Sequence, residues 1–172
     1  MRKEVNNKYW LAFYTRPRHE FTARTDILHM GIEVYLPVVT VMKKWSDRKK
    51  RVTEPLFKSY IFAYCNEAER LRIVQSKSIV TTVFYNGKPA HVPDWQIEGV
   101  RRMLEGNEEV KIVEGIKEGV RIKITDGPFA GVEGVIYSTG NNEKYVAVSL
   151  DILNRSVIAK LPVKDIEILK AV

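Results

Sequence analysis

The 172-residue chain holds a single cysteine, Cys65, so no disulfide can form within it. A lone thiol fits a reducing compartment, and its plainest use is as a small buried hydrophobe. No apolar run approaches the roughly 18 residues that a membrane-spanning helix needs. The opening residues, MRKEVNNKYW, carry charges but no apolar stretch of signal-peptide length. Export is therefore not expected, and a cytoplasmic location is. Histidine is scarce: His19, His29 and His91 are all there is, and they lie far apart. HExxH, CxxC and Gly-x-Ser-x-Gly are missing, and carboxylates such as Glu20 and Asp126 have no evident catalytic partner. No enzyme activity, metal site or cofactor is expected.

What remains is an ordinary globular composition, 45% hydrophobic and 28% charged. The length allows one medium domain or two small ones. The net charge of +7 is uneven. Residues 1–106 carry 19 lysines and arginines against 11 acidic residues, and residues 107–172 carry 9 against 10. A basic first part joined to a near-neutral second part places nucleic-acid contact in the first.

Hydrophobic periodicity predicts an ordered series of elements. Tyr9 to Arg16 reads as an aromatic-rich strand stopped by Pro17. Glu20 to Met30 reads as a helix with Phe21, Ile27 and Leu28 on a broad apolar face, capped at Gly31. Val34 to Met42 is strand-like, with Pro37 marking an edge or bulge. Lys43 to Arg51 is the tip of a long hairpin, and the chain returns at Leu56 to Cys65. Glu67 to Gln75 is a short helix with Leu71 and Val74 inward. Val80 to Tyr85 and Lys88 to Val92 are strands joined by the turn Asn86-Gly87. Pro93 opens a helix in which Ile97, Val100, Met103 and Leu104 recur at helical spacing, ended by Gly106. Residues 107–118 read as an acidic linker. Five short β-branched stretches then follow with turns between them: Val120 to Ile124, Val132 to Tyr137, Tyr145 to Leu150, Val157 to Leu161 and Ile166 to Leu169. That texture predicts a small closed barrel, since closure removes exposed edges. The fold class expected is α+β, with an antiparallel or mixed sheet and helices first and an all-β barrel second.

Residues 55–65, PLFKSYIFAYC, depart from the alternation of a half-wet strand. Tyr60, Phe62 and Tyr64 alternate with Ile61, Ala63 and Cys65, so both faces are apolar or aromatic. One face can pack on the chain's own helices, and the other asks for cover from a partner. Just upstream, KKWSDRKKR has six positive charges, one negative charge and one aromatic. Lys43, Lys44, Arg48, Lys49, Lys50 and Arg51 can neutralise phosphates, and Trp45 can stack on an unpaired base. A solvated hairpin tip is the alternative. Near the other end, Gly127, Gly131 and Gly134 surround Pro128 and Phe129. They suit a tight loop that meets a polyanion or a protein, or a barrel turn that needs glycine for its own geometry. It is not a phosphate-binding P-loop, because the Gly-Lys-Ser/Thr ending and a following helix are absent.

Three segments resemble the NusG family of transcription elongation factors. Tyr9-Trp10-Leu11-Ala12-Phe13-Tyr14 followed by Thr15-Arg16-Pro17-Arg18-His19-Glu20 is similar to its opening strand and turn. Pro55-Leu56-Phe57-Lys58-Ser59-Tyr60-Ile61-Phe62 is similar to its PLFxxYxF strand. Gly119-Val120-Arg121-Ile122 with Gly127-Pro128-Phe129-Ala130-Gly131-Val132-Glu133-Gly134 is similar to its KOW motif. The resemblance runs from residue 8 onward. TRPRHE together with Trp45-Ser46-Asp47-Arg48-Lys49-Lys50 is similar to the specialised UpxY-type antiterminators of surface-polysaccharide operons.

The resemblance implies an NGN-like domain over 1–106, a linker over 107–118 and an SH3-like KOW barrel over 119–172. It implies a non-enzymatic factor that binds the clamp helices of RNA polymerase and suppresses pausing or termination, as a monomer without membrane contact. Tyr14, Phe57, Tyr60 and Phe62 would line the hydrophobic depression that grips the clamp helices, with burial in the core as their alternative use. Arg16, Arg18 and His19 would lie near the non-template strand, and the basic tip near upstream DNA. The segment around Arg70, Leu71 and Arg72 is the approximate counterpart of the contact with the second jaw. The KOW domain would meet a ribosomal protein or a termination factor. Lys58-Ser59 departs from the Pro-Gly-like pair common at that turn. Two rival functions remain: a general elongation factor coupling transcription to translation or termination, and a KOW-containing ribosomal RNA-binding protein.

Overall fold

Strand β1 (Tyr9–Thr15) stops ahead of Pro17, which cannot donate to a ladder, and α1 (Glu20–His29) starts three residues after that proline. The computed structural model describes residues 7–105, 110–114, 120–126, 129–138, 144–160 and 166–168. The chain divides into two units, Met1–His91 and Val92–Val172.

In the first unit, β2 (Glu33–Tyr35) and β3 (Val38–Lys44) split one expected strand at Pro37, whose carbonyl accepts the Leu56 N–H at 2.8 Å. β4 (Lys49–Pro55) pairs with β3 in a separate two-stranded ribbon. β5 (Tyr60–Cys65) leads into α2 (Glu67–Val74), β6 (Ile79–Thr82), β7 (Phe84–Tyr85), β8 (Lys88–Pro89) and β9 (His91–Val92). The main sheet has the order β2-β5-β1-β6, with β9 pairing β1 off that path. β1 and β5 run antiparallel, with Tyr14 opposite Tyr60 and Ala12 opposite Phe62. The β7–β8 hairpin turns at Asn86-Gly87, both with positive φ, as its two-residue loop requires.

Helices α1 and α2 cover one face of this sheet. Leu11, Phe13, Ile61, Ala63 and Cys65 meet Ala23, Ile27, Ile73 and Ile79 there. Full burial of a side chain such as Phe13, Ile27 or Ile61 is worth roughly 1.5–3 kcal/mol over leaving it in water. The helix faces differ from the sequence reading. Phe21 and Leu28 are exposed, and α1 buries Glu20, Ala23 and Ile27 instead. Leu71 is exposed too, and Ile73 takes the inward position in α2, with Val74 partly buried beside it. Asn66 and Glu69 form a reciprocal capping box that sets where α2 begins, and so which residues turn inward.

The second unit begins with α3 (Asp94–Glu105), after Pro93. The sequence reading groups this helix with the first part of the chain. Its buried residues Ile97, Gly99, Val100 and Met103 lie at helical spacing, and a β-carbon at Gly99 would stand 3.0 Å from Val148 Cγ1. β10 (Val110–Glu114) is a strand inside the segment expected to be a linker. β11 (Arg121–Ile124), β12 (Glu133–Ser138), β13 (Lys144–Leu150), β14 (Arg155–Lys160) and β15 (Ile166–Ile168) follow, with a 3-10 turn at Asp151–Leu153. These strands form one sheet in the order β10-β14-β13-β12-β11-β15. Ile122, Phe129, Val132, Val146, Val148, Leu150 and Val157 are buried in this unit. The protein is thus a mixed α/β chain, and among its described residues no helix is long and apolar enough to cross a membrane.

Candidate functional site

Alternation along β1 and β5 sends Trp10, Ala12, Tyr14, Tyr60, Phe62 and Tyr64 to the sheet face opposite the one that α1 and α2 cover. Their rings meet in three groups. Trp10 and Tyr64 are 5.5 Å apart, and Tyr14 and Tyr60 meet edge to face at 5.4 Å. Phe62 lies 6.2 Å from Phe57 and 6.5 Å from Tyr35 of β2. Such tilted and edge contacts suit the ring quadrupoles.

Burial divides the four expected contact residues. Tyr14 is 38% exposed and Tyr60 is half-buried. Phe57 and Phe62 are 4% and 1% exposed, so their rings are packed inside the chain. The sequence reading left each of the four open between partner contact and burial in the core. The structure buries the two phenylalanines and leaves the two tyrosines partly accessible. Tyr35 and Trp10 were missed. Trp10 has the strand parity of Tyr14 and was legible from it, whereas Tyr35 joins only through the β2–β5 register, Tyr35 opposite Phe62.

The turn between Phe57 and Tyr60 is closed by the Tyr60 N–H to the Phe57 carbonyl, 3.1 Å. Ser59 within it has φ 64°. Its N–H donates to Glu20 Oε1 at 2.7 Å, and its carbonyl accepts from the Thr15 N–H at 2.8 Å. Glu20 therefore ties the TRPRHE segment to the PLFKSY segment.

Arg16, Arg18 and His19 are all exposed on the turn before α1. The His19 N–H donates to the Arg16 carbonyl at 3.0 Å, and Arg18 has φ 63°. His19 also borders an open groove of about 850 Å³, along with His29, Arg72 and Lys77. On its wall the Asp26 carboxylate accepts the hydroxyls of Ser78 and Ser76 at 2.6 and 2.7 Å, which hold its pKa below the ordinary value. Lys77 went unnoticed because a single charge in a polar loop has no pattern.

The expected hairpin tip is a β3–β4 ribbon, and its register sets Lys43 against Lys50, Lys44 against Lys49, and Met42 against Arg51. The Trp45 N–H closes the tip onto the Arg48 carbonyl at 2.8 Å. Lys43 pairs with Glu54, which lowers the Glu54 pKa. Lys50 Nζ sits 5.9 Å from the Trp45 ring centroid. Among the described residues Lys44, Arg48, Lys49 and Arg51 have no ion-pair partner. The structure thus brings these six cations and Trp45 together on one ribbon, apart from the main sheet.

Of the glycine-rich loop in the second unit, Gly127 and Pro128 lie outside the described residues. Phe129 is buried, Gly131 has φ 84°, and Gly134 lies so close to β13 that a β-carbon would meet the Ala147 carbonyl oxygen at 2.5 Å. These positions answer the sheet's own geometry. Among the described residues no group of three or more His, Cys, Asp or Glu could hold a metal ion. Cys65 is buried, and burial pushes its thiol pKa up to about 12.

Residues 8–101 match the family described as "Transcription termination factor nusG". The chain is 22% identical over 139 residues to the transcription termination/antitermination protein NusG of Pseudomonas aeruginosa, covering 78% of each. It is 23% identical over 178 residues to the protein of that name from Lactococcus lactis subsp. lactis, covering 94% of each. A solved structure described as "Domain interaction in Thermotoga maritima NusG" aligns with a TM-score of 0.48 at 24% identity, over 95% of this chain and 98% of that one.

Proposed function

The chain belongs to the NusG family of transcription termination/antitermination factors, and from that we propose that it binds elongating RNA polymerase and suppresses pausing or termination. The reading rests on one observation above the rest: Tyr14 and Tyr60 stand together, partly exposed, on the sheet face that also carries the buried Phe62. Large rigid aromatics on a fixed sheet lose little rotamer entropy on binding and dominate helix-in-groove contacts. The clamp helices of the polymerase are the proposed occupant. A factor that prefers the closed clamp shifts the population away from paused, open states.

The β3–β4 ribbon is the proposed contact with upstream DNA, and the Arg16–His19 turn the proposed contact with the non-template strand. Residues 119–172, in the near-neutral second part of the chain, are read as a KOW domain that meets a ribosomal protein or a termination factor. Specialisation to particular operons, such as those for surface polysaccharides, is proposed from the TRPRHE and WSDRKK segments. The relatives' common name favours a second reading, a general factor coupling transcription to translation or termination. The partners captured by the second unit separate the two. The deciding experiment is a pull-down of polymerase from lysate by the full chain, with excess isolated clamp helices as competitor. Competition that abolishes capture supports the reading, and capture that ignores the competitor overturns it.

A further inference from the structure

We propose that Glu20 is a positioning residue for the polymerase-docking face: its buried carboxylate holds the Phe57–Tyr60 turn and thereby sets Tyr60 against Tyr14. The inference rests on the docking reading given above.

A four-residue turn whose third residue has positive φ favours proline second and glycine third. Lys58 and Ser59 occupy those places here, and Ser59 carries φ 64°, in the left-handed region that a side chain disfavours. Something outside the turn must hold it there. Glu20 Oε1 accepts the Ser59 N–H at 2.7 Å, and the Thr15 N–H holds the Ser59 carbonyl at 2.8 Å. Both peptide groups of Ser59 are thus anchored to the β1–α1 segment.

Glu20 is 5% exposed, and among the described residues it makes no ion pair. A buried carboxylate without a cation is costly unless hydrogen bonds offset it, and the Ser59 N–H supplies one to Glu20. Its place in the first turn of α1 offsets part of that cost, because the helix N-terminus favours negative charge. Tyr60 follows Ser59 directly and stands opposite Tyr14 in the β1–β5 register. A change at Ser59 therefore moves the very ring that meets Tyr14 at 5.4 Å. The same carboxylate follows His19 in sequence, so one residue joins the candidate polymerase face to the candidate DNA turn.

The test titrates the full chain and its variants against RNA polymerase, with amide exchange followed at Ser59. Glu20→Ala should weaken binding by about tenfold, the worth of one hydrogen bond to a charged group, and should speed exchange at the Ser59 amide. Glu20→Gln keeps an acceptor oxygen and should bind within about threefold of the parent. Adding Ser59→Gly to Glu20→Ala should restore most of the affinity, because glycine adopts positive φ unaided. A role in stability alone would not be repaired at a position that changes only the turn. If Glu20→Ala does not fold, Glu20→Asp, shorter by one methylene, carries the same comparison. Binding that ignores both Glu20→Ala and a Tyr60→Ala control defeats the docking face itself. Binding that ignores Glu20→Ala alone, or a loss that Ser59→Gly leaves unrepaired, overturns the role of Glu20.

Discussion

Lys50 stands directly opposite Lys43 in the β3–β4 ladder, with its ammonium 5.9 Å from the centroid of the Trp45 ring. Lys44 faces Lys49 one step nearer the tip. Like charges opposed across a ladder are destabilising, so the ribbon is built against its own stability. Glu54 answers Lys43 and the Trp45 ring answers Lys50, while Lys44 and Lys49 have no such partner among the described residues, and an approaching polyanion would relieve their repulsion.

Replacing Arg48, Lys49 and Lys50 together with glutamine should flatten the salt dependence of DNA binding. The slope of log affinity against log salt should shrink by about 2 to 3, as expected for three lost phosphate contacts. The measurement is a DNA titration at several salt concentrations. An unchanged slope would remove the ribbon from the DNA contact.

Tyr60→Ala and Phe62→Ala should behave as opposites, although the two residues lie two apart on one strand face. Tyr60→Ala should cost polymerase binding about 2 kcal/mol or more, the size of an interface hot spot, while leaving a folded chain. Phe62→Ala should cost about 3–5 kcal/mol of folding stability, because it empties a buried ring site. Denaturant unfolding beside polymerase binding distinguishes them.

Asp26 predicts an acid-sensitive link between α1 and the loop before β6. Hydrogen bonds from Ser78 and Ser76 lower its folded pKa beneath the ordinary 3.8, so its contribution is fully present above that value. It is lost as pH falls through the lower folded value. Urea midpoints measured across the acid range should fall less steeply in Asp26→Asn than in the parent. Parallel curves would show that the serine contacts add nothing.

In the second unit, Gly134→Ala should destabilise more than Gly131→Ala. A methyl at Gly134 would press on the Ala147 backbone carbonyl at 2.5 Å, and overpacking of that kind costs about 1–3 kcal/mol. At Gly131 the close neighbour is the end of the Arg102 side chain, which can swing away. What remains there is the positive φ, at about 1–2 kcal/mol. Guanidinium unfolding of the two variants gives the order.

Cys65 should resist alkylation in the folded chain at near-neutral pH. Its thiol is buried and its pKa is raised to about 12, so almost no thiolate forms. Modification followed over time should track unfolding. Rapid labelling of the folded protein would contradict the packing described for β5.

Much of the first unit, and α3 of the second, was legible because their side chains carry their periods openly. The doubly apolar PLFKSYIFAYC run gave a strand with two covered faces, and Pro93 with its helical spacing gave α3. The helix faces were less legible. Phe21 and Leu28 flank Ile27 plausibly on a helical wheel, yet α1 meets the sheet along Glu20, Ala23 and Ile27. Apolar identity alone does not say which side of a helix lands on the sheet, and that depends on the angle at which the chain enters.

The sequence by itself determined most of the order of elements, though not β10 or the break between β2 and β3, together with the basic hairpin and the family, since each is written in local spacing or in contiguous motifs. Only the tertiary structure decided which aromatics are accessible, why lysine faces lysine across the ribbon, and that Glu20 reaches Ser59, 39 positions away. These depend on register and on contacts between segments remote in the chain. Residue types that look alike along one strand acquire different uses once a particular neighbour closes over one of them and leaves the next in water.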